Sequence, residues 1–400
     1  MILTMNLRTH LHAFLLTTLL TLALAGNPPH SPRPTCSEVT FTITTSSNNS
    51  VFASPPSPTN DTALWDFLAS GFRGNLPTII GTRPISGTFN ISGTYCLPHH
   101  HRPRSPPTLQ ILLHGITYSK SVWAGLGFGP HYNWHHAANA RGYATLAIDR
   151  LGNGLSSRPD PINIAQPQLE LALLNEIVKS AQGIPSPSTS IPNSPFNSSR
   201  HIYPNVILVG HSFGSYLAPA LSTFYPATRI SALILTGFST EFNISFLADQ
   251  SWAPASVADP VRFGNLSNLR GYFAQRKASE REEGWYAGAY DKSIPKVDFA
   301  TRDTVAVGGF GGLEVLSNPA VNWRGPVMVV TGELDSGLCA GGYEKCREVL
   351  ERSRSFFPGV KEGEGGYEYL VVRDTGHDLM LHYSAADTVR RVHDWLDGSV

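Results

Sequence analysis

The chain has 400 residues, 41% of them hydrophobic, and its 30 Lys and Arg balance 30 Asp and Glu. That length suits one α/β catalytic domain with an insertion, since single domains usually run to roughly 100–200 residues. With no clustered excess of Lys or Arg, neither nucleic acid nor an anionic membrane surface is expected as a partner.

In chain order, Arg8 and His10 precede an apolar run from Leu11 to Leu24, and Ala23-Leu24-Ala25 has the small-x-small form of a cleavage site. Residues 1–25 therefore read as a secretory signal peptide. The run is shorter than the roughly 20 apolar residues of a spanning helix and contains Thr17, Thr18 and Thr21, so no stable membrane insertion is expected. A secreted, extracellular protein fits two further features. Asn48, Asn60, Asn90, Asn197, Asn243 and Asn265 each begin an Asn-x-Ser/Thr sequon, and N-glycans are expected at some of them. The four cysteines form an even set that can pair in three ways. The pairing expected is Cys36 with Cys96, tying the N-terminal arm to a strand, and Cys339 with Cys346, bracing a loop.

Residues 26–85 read as an N-terminal arm with one strand, 38–45, in which Val39, Phe41 and Ile43 share a face. Residues 46–62 are polar and Pro-rich and read as a glycosylated loop. A second strand, 86–95, suits an antiparallel sheet edge. His99, His100 and His101 follow, but consecutive positions cannot easily aim three rings at one ion, so no metal site is expected. From Leu109 short apolar strands alternate with helical segments, the pattern of a parallel sheet covered on both faces. Strand 109–113 ends in His114-Gly115-Ile116-Thr117. After a helix at 134–141, strand 143–148 ends in Asp149-Arg150-Leu151-Gly152-Asn153-Gly154-Leu155-Ser156. An amphipathic helix at 167–181 and a Pro/Ser loop at 182–200 lead to the apolar run Asn205–Val209 and then Gly210-His211-Ser212-Phe213-Gly214. A strand at 230–235 follows.

Residues 240–320 break the alternation with short helical patterns and many aromatics, and read as an inserted helical cap whose aromatics mostly form its own core. The sheet resumes at 327–331 and 367–372 and closes with a helix at 385–396. The expected plan is thus a catalytic core in two parts, 86–239 and 321–400, around the cap at 240–320.

The chemistry centres on Ser212. Gly210-x-Ser212-x-Gly214 lies between a strand and a helix, the context in which a sharp turn lifts a serine hydroxyl above the sheet edge. A lone serine is a poor nucleophile and needs a base with an orienting acid. Asp335 follows strand 327–331 and His377 follows strand 367–372, so both can meet Ser212 at one edge of the sheet. Glu333 is the rival acid; Asp335 is preferred because it sits further into its loop. Asp374 and Asp378 are too close in sequence to His377 to face its ring squarely.

Together, His114-Gly115, the Asp149 to Ser156 turn, the serine pentapeptide, Gly332-x-x-Asp335 and Gly376-His377 resemble the α/β-hydrolase superfamily. The match runs over about residues 86–400, in the order Ser, acid, His. The Gly87 to Cys96 segment and the Ile148 to Ser157 stretch are similar to secreted fungal-type serine hydrolases of the AB-hydrolase-1 type. The resemblance implies an α/β-hydrolase fold, with a mostly parallel central sheet flanked by helices and an inserted helical cap. It also implies an oxyanion hole made by the backbone N–H groups of Phe213 and Ile116. His-Gly-Ile-Thr departs from the His-Gly-Gly-Gly form of one esterase branch, so that branch's substrates are not carried over. The Asp149 turn is expected to border the site rather than react.

The reaction expected is hydrolysis of a small-molecule carboxylic ester or lactone through an acyl-enzyme on Ser212. The alternative keeps the triad and cleaves an amide, as a proline-iminopeptidase-like enzyme would, with Glu280, Glu282 and Glu283 as possible partners for a substrate amine. Those three read more simply as a solvated helix face. A non-catalytic binding protein on the same scaffold has no need to keep Ser, Asp and His together. No cofactor and no metal are expected: Gly125-x-Gly127 is followed by Pro130, which spoils a dinucleotide fingerprint.

Overall fold

The structure is a computed structural model that describes residues 35–98, 104, 106–185, 195–196, 202–339, 341–363 and 365–399. The signal-peptide reading of residues 1–25, the His99–His101 run and the sequon at Asn197 lie outside the described residues.

Alternating apolar and polar residues near the N-terminus form a long hairpin. β1 (Thr35–Phe52) and β2 (Ile79–Leu97) pair antiparallel, from Thr35 opposite Leu97 to Phe52 opposite Ile79. Phe41, Ile43, Phe89 and Ile91 are buried. Cys36 stands opposite Cys96 in this register and is bonded to it. Closing a loop of 60 residues stabilises the fold by about 4 kcal/mol in the loop-entropy model.

β1 is longer than its apolar pattern suggests. The polar residues Ser46 to Ser50 continue the ladder, opposite Ser86 to Thr82. Backbone pairing does not require apolar side chains, so the stretch read as the start of a loop is strand. Within the expected arm there is also a helix, α1 (Asp61–Phe72), capped by Asn60 Oδ1, which accepts from the Ala63 N–H at 3.1 Å. It buries Leu64, Leu68 and Phe72, four residues apart, on one face.

The apolar runs beyond residue 108 become strands buried on both faces. β3 (Thr108–Leu113), β4 (Ala144–Ile148), β5 (Asn205–His211) and β6 (Ala232–Thr236) are joined by helices α2 (Trp134–Ala140), α3 (Pro167–Ala181) and α4 (Phe213–Phe224). The eight-stranded sheet has the order β1-β2-β4-β3-β5-β6-β10-β11, where β10 is Val327–Gly332 and β11 is Tyr367–Val372. β4, β3, β5, β6, β10 and β11 run parallel to one another, and β2 joins β4 antiparallel. The strand direction carries every connection after these six strands to one edge of the sheet.

Between β6 and β10 the chain makes short elements only. Alongside the expected short helices it forms an antiparallel sheet of β7 (Trp252–Pro254), β8 (Tyr272–Gln275) and β9 (Val305–Ala306). Its helices include α5 (Ala278–Trp285) and α6 (Ile294–Thr301). After β10 come α7 (Tyr343–Arg352), then β11, then α8 (Ala385–Ser399). Cys346 in α7 is bonded to Cys339 in the loop after β10, the second expected pair. Among the described residues no helix is long and apolar enough to cross a membrane. Asn48, Asn60, Asn90, Asn243 and Asn265 are all exposed.

Candidate active site

Four strand ends supply the site. Ile116 follows β3, Ser212 follows β5, Asp335 follows β10 and His377 follows β11.

The turn after β5 is tight enough to need its glycines. Ser212 has φ 53° and ψ −121°, a left-handed conformation that costs a non-glycine residue roughly 1–3 kcal/mol. A Cβ on Gly210 would fall 2.3 Å from Gly214 O, and one on Gly214 would fall 2.1 Å from Leu113 O. Neither position has room for any other residue. The strained turn is anchored by its backbone. The Ser212 N–H donates to Thr236 O at 2.9 Å, and Ser212 O accepts from the Ser215 N–H at 2.8 Å.

Asp335 and His377 meet across 42 residues. His377 Nδ1 donates to Asp335 Oδ2 at 2.6 Å, so Nε2 is left as the ring nitrogen able to accept a proton. Asp335 Oδ1 accepts the N–H groups of Gly337 and Leu338, each at 3.1 Å, which holds the carboxylate in its own loop. The rival Glu333 faces elsewhere: its Oε1 accepts from the Asp374 N–H at 3.2 Å. Burial alone pulls the His377 pKa down, but the charge and hydrogen bond of Asp335, helped by Asp378, outweigh it and hold the pKa above 6.5. A histidine acts as a base only in its neutral form, so for His377 in that role the acid limb of kcat/KM against pH is expected above 6.5. A limb centred well below 6.5 would mean that Asp335 does not hold the His377 pKa up against burial.

The loop after β3 is ordered by a histidine. His114 is fully buried, which lowers its pKa to about 3 and keeps it neutral. Its Nε2 accepts the Arg150 N–H at 2.9 Å, so Nδ1 carries the proton and donates to Gly115 O at 2.7 Å. Gly115 O belongs to the same trans peptide as the Ile116 N–H, which therefore points the opposite way. The other candidate donor, Phe213, is the first residue of α4, where an N–H has no intrahelical acceptor. Arg150 lies over the Phe213 ring at 4.0 Å and forms a buried two-point pair with Glu170. The Asp149 turn borders this loop. Asp149 accepts from Lys120 N, Lys120 Nζ and Leu155 N.

Asp378 faces not the ring of His377 but His211, whose Nε2 lies 3.3 Å from Asp378 Oδ1. A buried chain continues from there. Tyr118 Oη donates to Asp378 and lies 2.9 Å from Asp298, which also receives Tyr286 Oη and the guanidinium of Arg281. None of these roles was readable in the sequence. His211 occupies a variable position of the serine pentapeptide, and Arg281 sits in an acidic run that resembles a solvated helix face. Glu280 pairs with Ser251 and Lys277, and Glu282 with Tyr290.

Ser212 and His377 line a common apolar cavity. Ile116 and Phe213 line it beside them, and residues 240–320 contribute Phe242, Ile244, Leu247, Trp285, Phe310, Leu313 and Leu316. No carboxylate is among the described residues lining it. The Trp285 ring lies 5.0 Å from that of His377. Tyr272 and Phe273 of this stretch are buried away from the cavity.

A family model described as the alpha/beta hydrolase family matches residues 110–392. No curated protein matches the chain. Among solved structures it is similar to a bromoperoxidase from Bacillus anthracis, at 14% identity over 78% of this chain and 96% of that one, with a TM-score of 0.49. An esterase from Exiguobacterium antarcticum is 13% identical over 77% of this chain and 96% of that one, also with a TM-score of 0.49. A bacterial membrane phospholipase A is 15% identical over 98% of this chain and 93% of that one, with a TM-score of 0.48.

Proposed function

The chain belongs to the alpha/beta hydrolase family, and on that premise we propose that it is a serine hydrolase of carboxylic esters or lactones with an apolar acyl group. Ser212 Oγ attacks the acyl carbon while His377 Nε2 takes its proton, and Asp335 holds the imidazolium that forms. The negative oxygen of the tetrahedral intermediate is met by the N–H groups of Ile116 and Phe213. Collapse expels the alcohol, protonated by His377. Water, deprotonated by the same ring, then attacks the acyl-enzyme and releases the acid.

The observation that carries this reading is that a carboxylate-bound histidine and the serine of the strained turn line the same apolar cavity. An aminopeptidase must stabilise a substrate α-ammonium. Among the described residues no carboxylate lines this cavity, and Glu280 and Glu282 are engaged elsewhere. Residues 240–320 act as the cap in this reading, since they contribute half of the cavity lining. Export is proposed on the leader at residues 1–25, the two disulfides and the exposed sequons.

The test compares nitrophenyl esters of increasing acyl length with aminoacyl anilides. The expected result is ester turnover with kcat/KM rising as the acyl chain fills the cavity, by about 3-fold to 4-fold for each methylene buried. Faster turnover of the anilides than of every ester would overturn the ester assignment.

A further inference from the structure

The loop that carries the Ile116 N–H is clamped by a buried arginine. Arg281, in α5, is 0% exposed. Its Nε and Nη2 donate to the two oxygens of Asp298 at 2.9 and 2.8 Å. Its Nη1 donates to Gln275 Oε1 at 2.7 Å and to Thr117 Oγ1 at 2.9 Å, and its guanidinium lies 4.5 Å from the centre of the Tyr118 ring. A buried guanidinium is tolerated only when its donors are satisfied, and here part of that satisfaction comes from a loop 164 residues away in sequence.

Thr117 is the residue that needs holding. Its φ is 57°, and for a β-branched side chain that is an outlier which persists only when the surroundings over-determine it. Two contacts do so: Arg281 on the side chain, and the Asp303 N–H, which donates to Thr117 O at 2.7 Å. Both come from the stretch between β6 and β10. Ile116 is thus fixed from two directions. His114 holds the carbonyl of the preceding peptide, and Arg281 with Asp303 holds the following residue in its left-handed conformation. Without that clamp, Thr117 relaxes toward negative φ and the chain leaves Ile116 along a different path, which displaces Ile116 and with it the Gly115–Ile116 peptide that carries the N–H.

We propose that Arg281 is a positioning residue for the Ile116 oxyanion donor, acting through Thr117. The inference rests on the serine hydrolase reading above. It makes the stretch 240–320 a support of the catalytic machinery as well as a wall of the cavity.

The test is steady-state kinetics on a neutral ester, together with the affinity of an aryl boronic acid whose serine adduct directs an oxygen at the oxyanion donors. Arg281→Met is expected to lower kcat by about 10-fold to 100-fold with KM within about twofold. Boronic acid affinity should fall by the same factor. Arg281→Lys does not restore kcat, because one ammonium cannot reproduce a fork that spans Asp298 and Thr117. Thr117→Val keeps the Arg281–Asp298 pair and removes only the Oγ1 acceptor. It should give a comparable loss, and the double variant should add nothing to it. Arg281→Met leaves Asp298 buried without its cation, so if that variant does not fold, Thr117→Val alone decides. The proposal is overturned if Thr117→Val matches the wild type in kcat, if boronic acid affinity stays unchanged while kcat falls, or if the two losses multiply. Failure of the underlying reading shows in the wild type itself, which then neither turns over ester nor binds the boronic acid, and this inference falls with it. Failure of the inference alone shows as variants that equal an active wild type.

Discussion

Ser212→Ala is expected to lower ester turnover by about 10⁶-fold and to abolish covalent labelling by a fluorophosphonate, with the fold intact. The size of the loss follows from the two-step reaction: without Oγ there is no acyl-enzyme, and only binding and the oxyanion donors remain to accelerate attack by water. The fold survives because the turn is held by backbone bonds from Ser212 N to Thr236 O and from Ser215 N to Ser212 O, which alanine keeps. Alanine at φ 53° bears the same steric strain as serine, so a stability change within about 0.5 kcal/mol is expected in a denaturant melt. Adding His377→Ala should cost little further activity, because a base without its nucleophile has nothing to deprotonate. Labelling of Ser212→Ala at the wild-type rate would move the nucleophile elsewhere.

The parts of this site that could be read from the sequence are those whose signal is local. Gly210 and Gly214 flank Ser212 between an apolar strand and a helix, and Asp335 and His377 each follow a short apolar run. Such patterns survive in one dimension because a strand end and its turn are contiguous. The same holds for Cys36 and Cys96, each close beside an alternating segment that reads as a strand. What escaped the reading depends on partners far apart in the chain. Ser46 to Ser50 look like a loop by composition, yet pair with β2 because the hairpin register carries them along. Arg281 sits among Glu280, Glu282 and Glu283 and looks solvated; it is buried because Asp298, Gln275 and Thr117 converge on it. The helix α1 is an exception, since Asn60 as a cap and Leu64, Leu68 and Phe72 at helical spacing were available signals. The surrounding Pro-rich composition hid them.

Asp335→Asn is expected to lower kcat by about 10⁴-fold while Glu333→Gln stays within a few-fold of the wild type. The difference comes from the loop that holds Asp335. Its Oδ1 accepts two N–H groups, from Gly337 and Leu338, so an asparagine at this position must direct its carbonyl oxygen there. The amide NH₂ is then left facing His377 Nδ1 in place of Oδ2. A donor in that position forces Nδ1 to accept and drives the ring proton to Nε2, the nitrogen that must be vacant to receive the proton of Ser212. Folding is little affected, because both loop bonds survive. The charge is also gone. Asp335 is the main influence holding the His377 pKa up against burial, so the acid limb of the residual activity should move to lower pH. Glu333 offers no such leverage: its carboxylate accepts from the Asp374 N–H, and glutamine keeps an oxygen for that bond. Equal losses in the two variants, or a greater loss in Glu333→Gln, would transfer the orienting role to Glu333. An acid limb that stays in place in Asp335→Asn would mean that the Asp335 carboxylate does not set the basicity of His377.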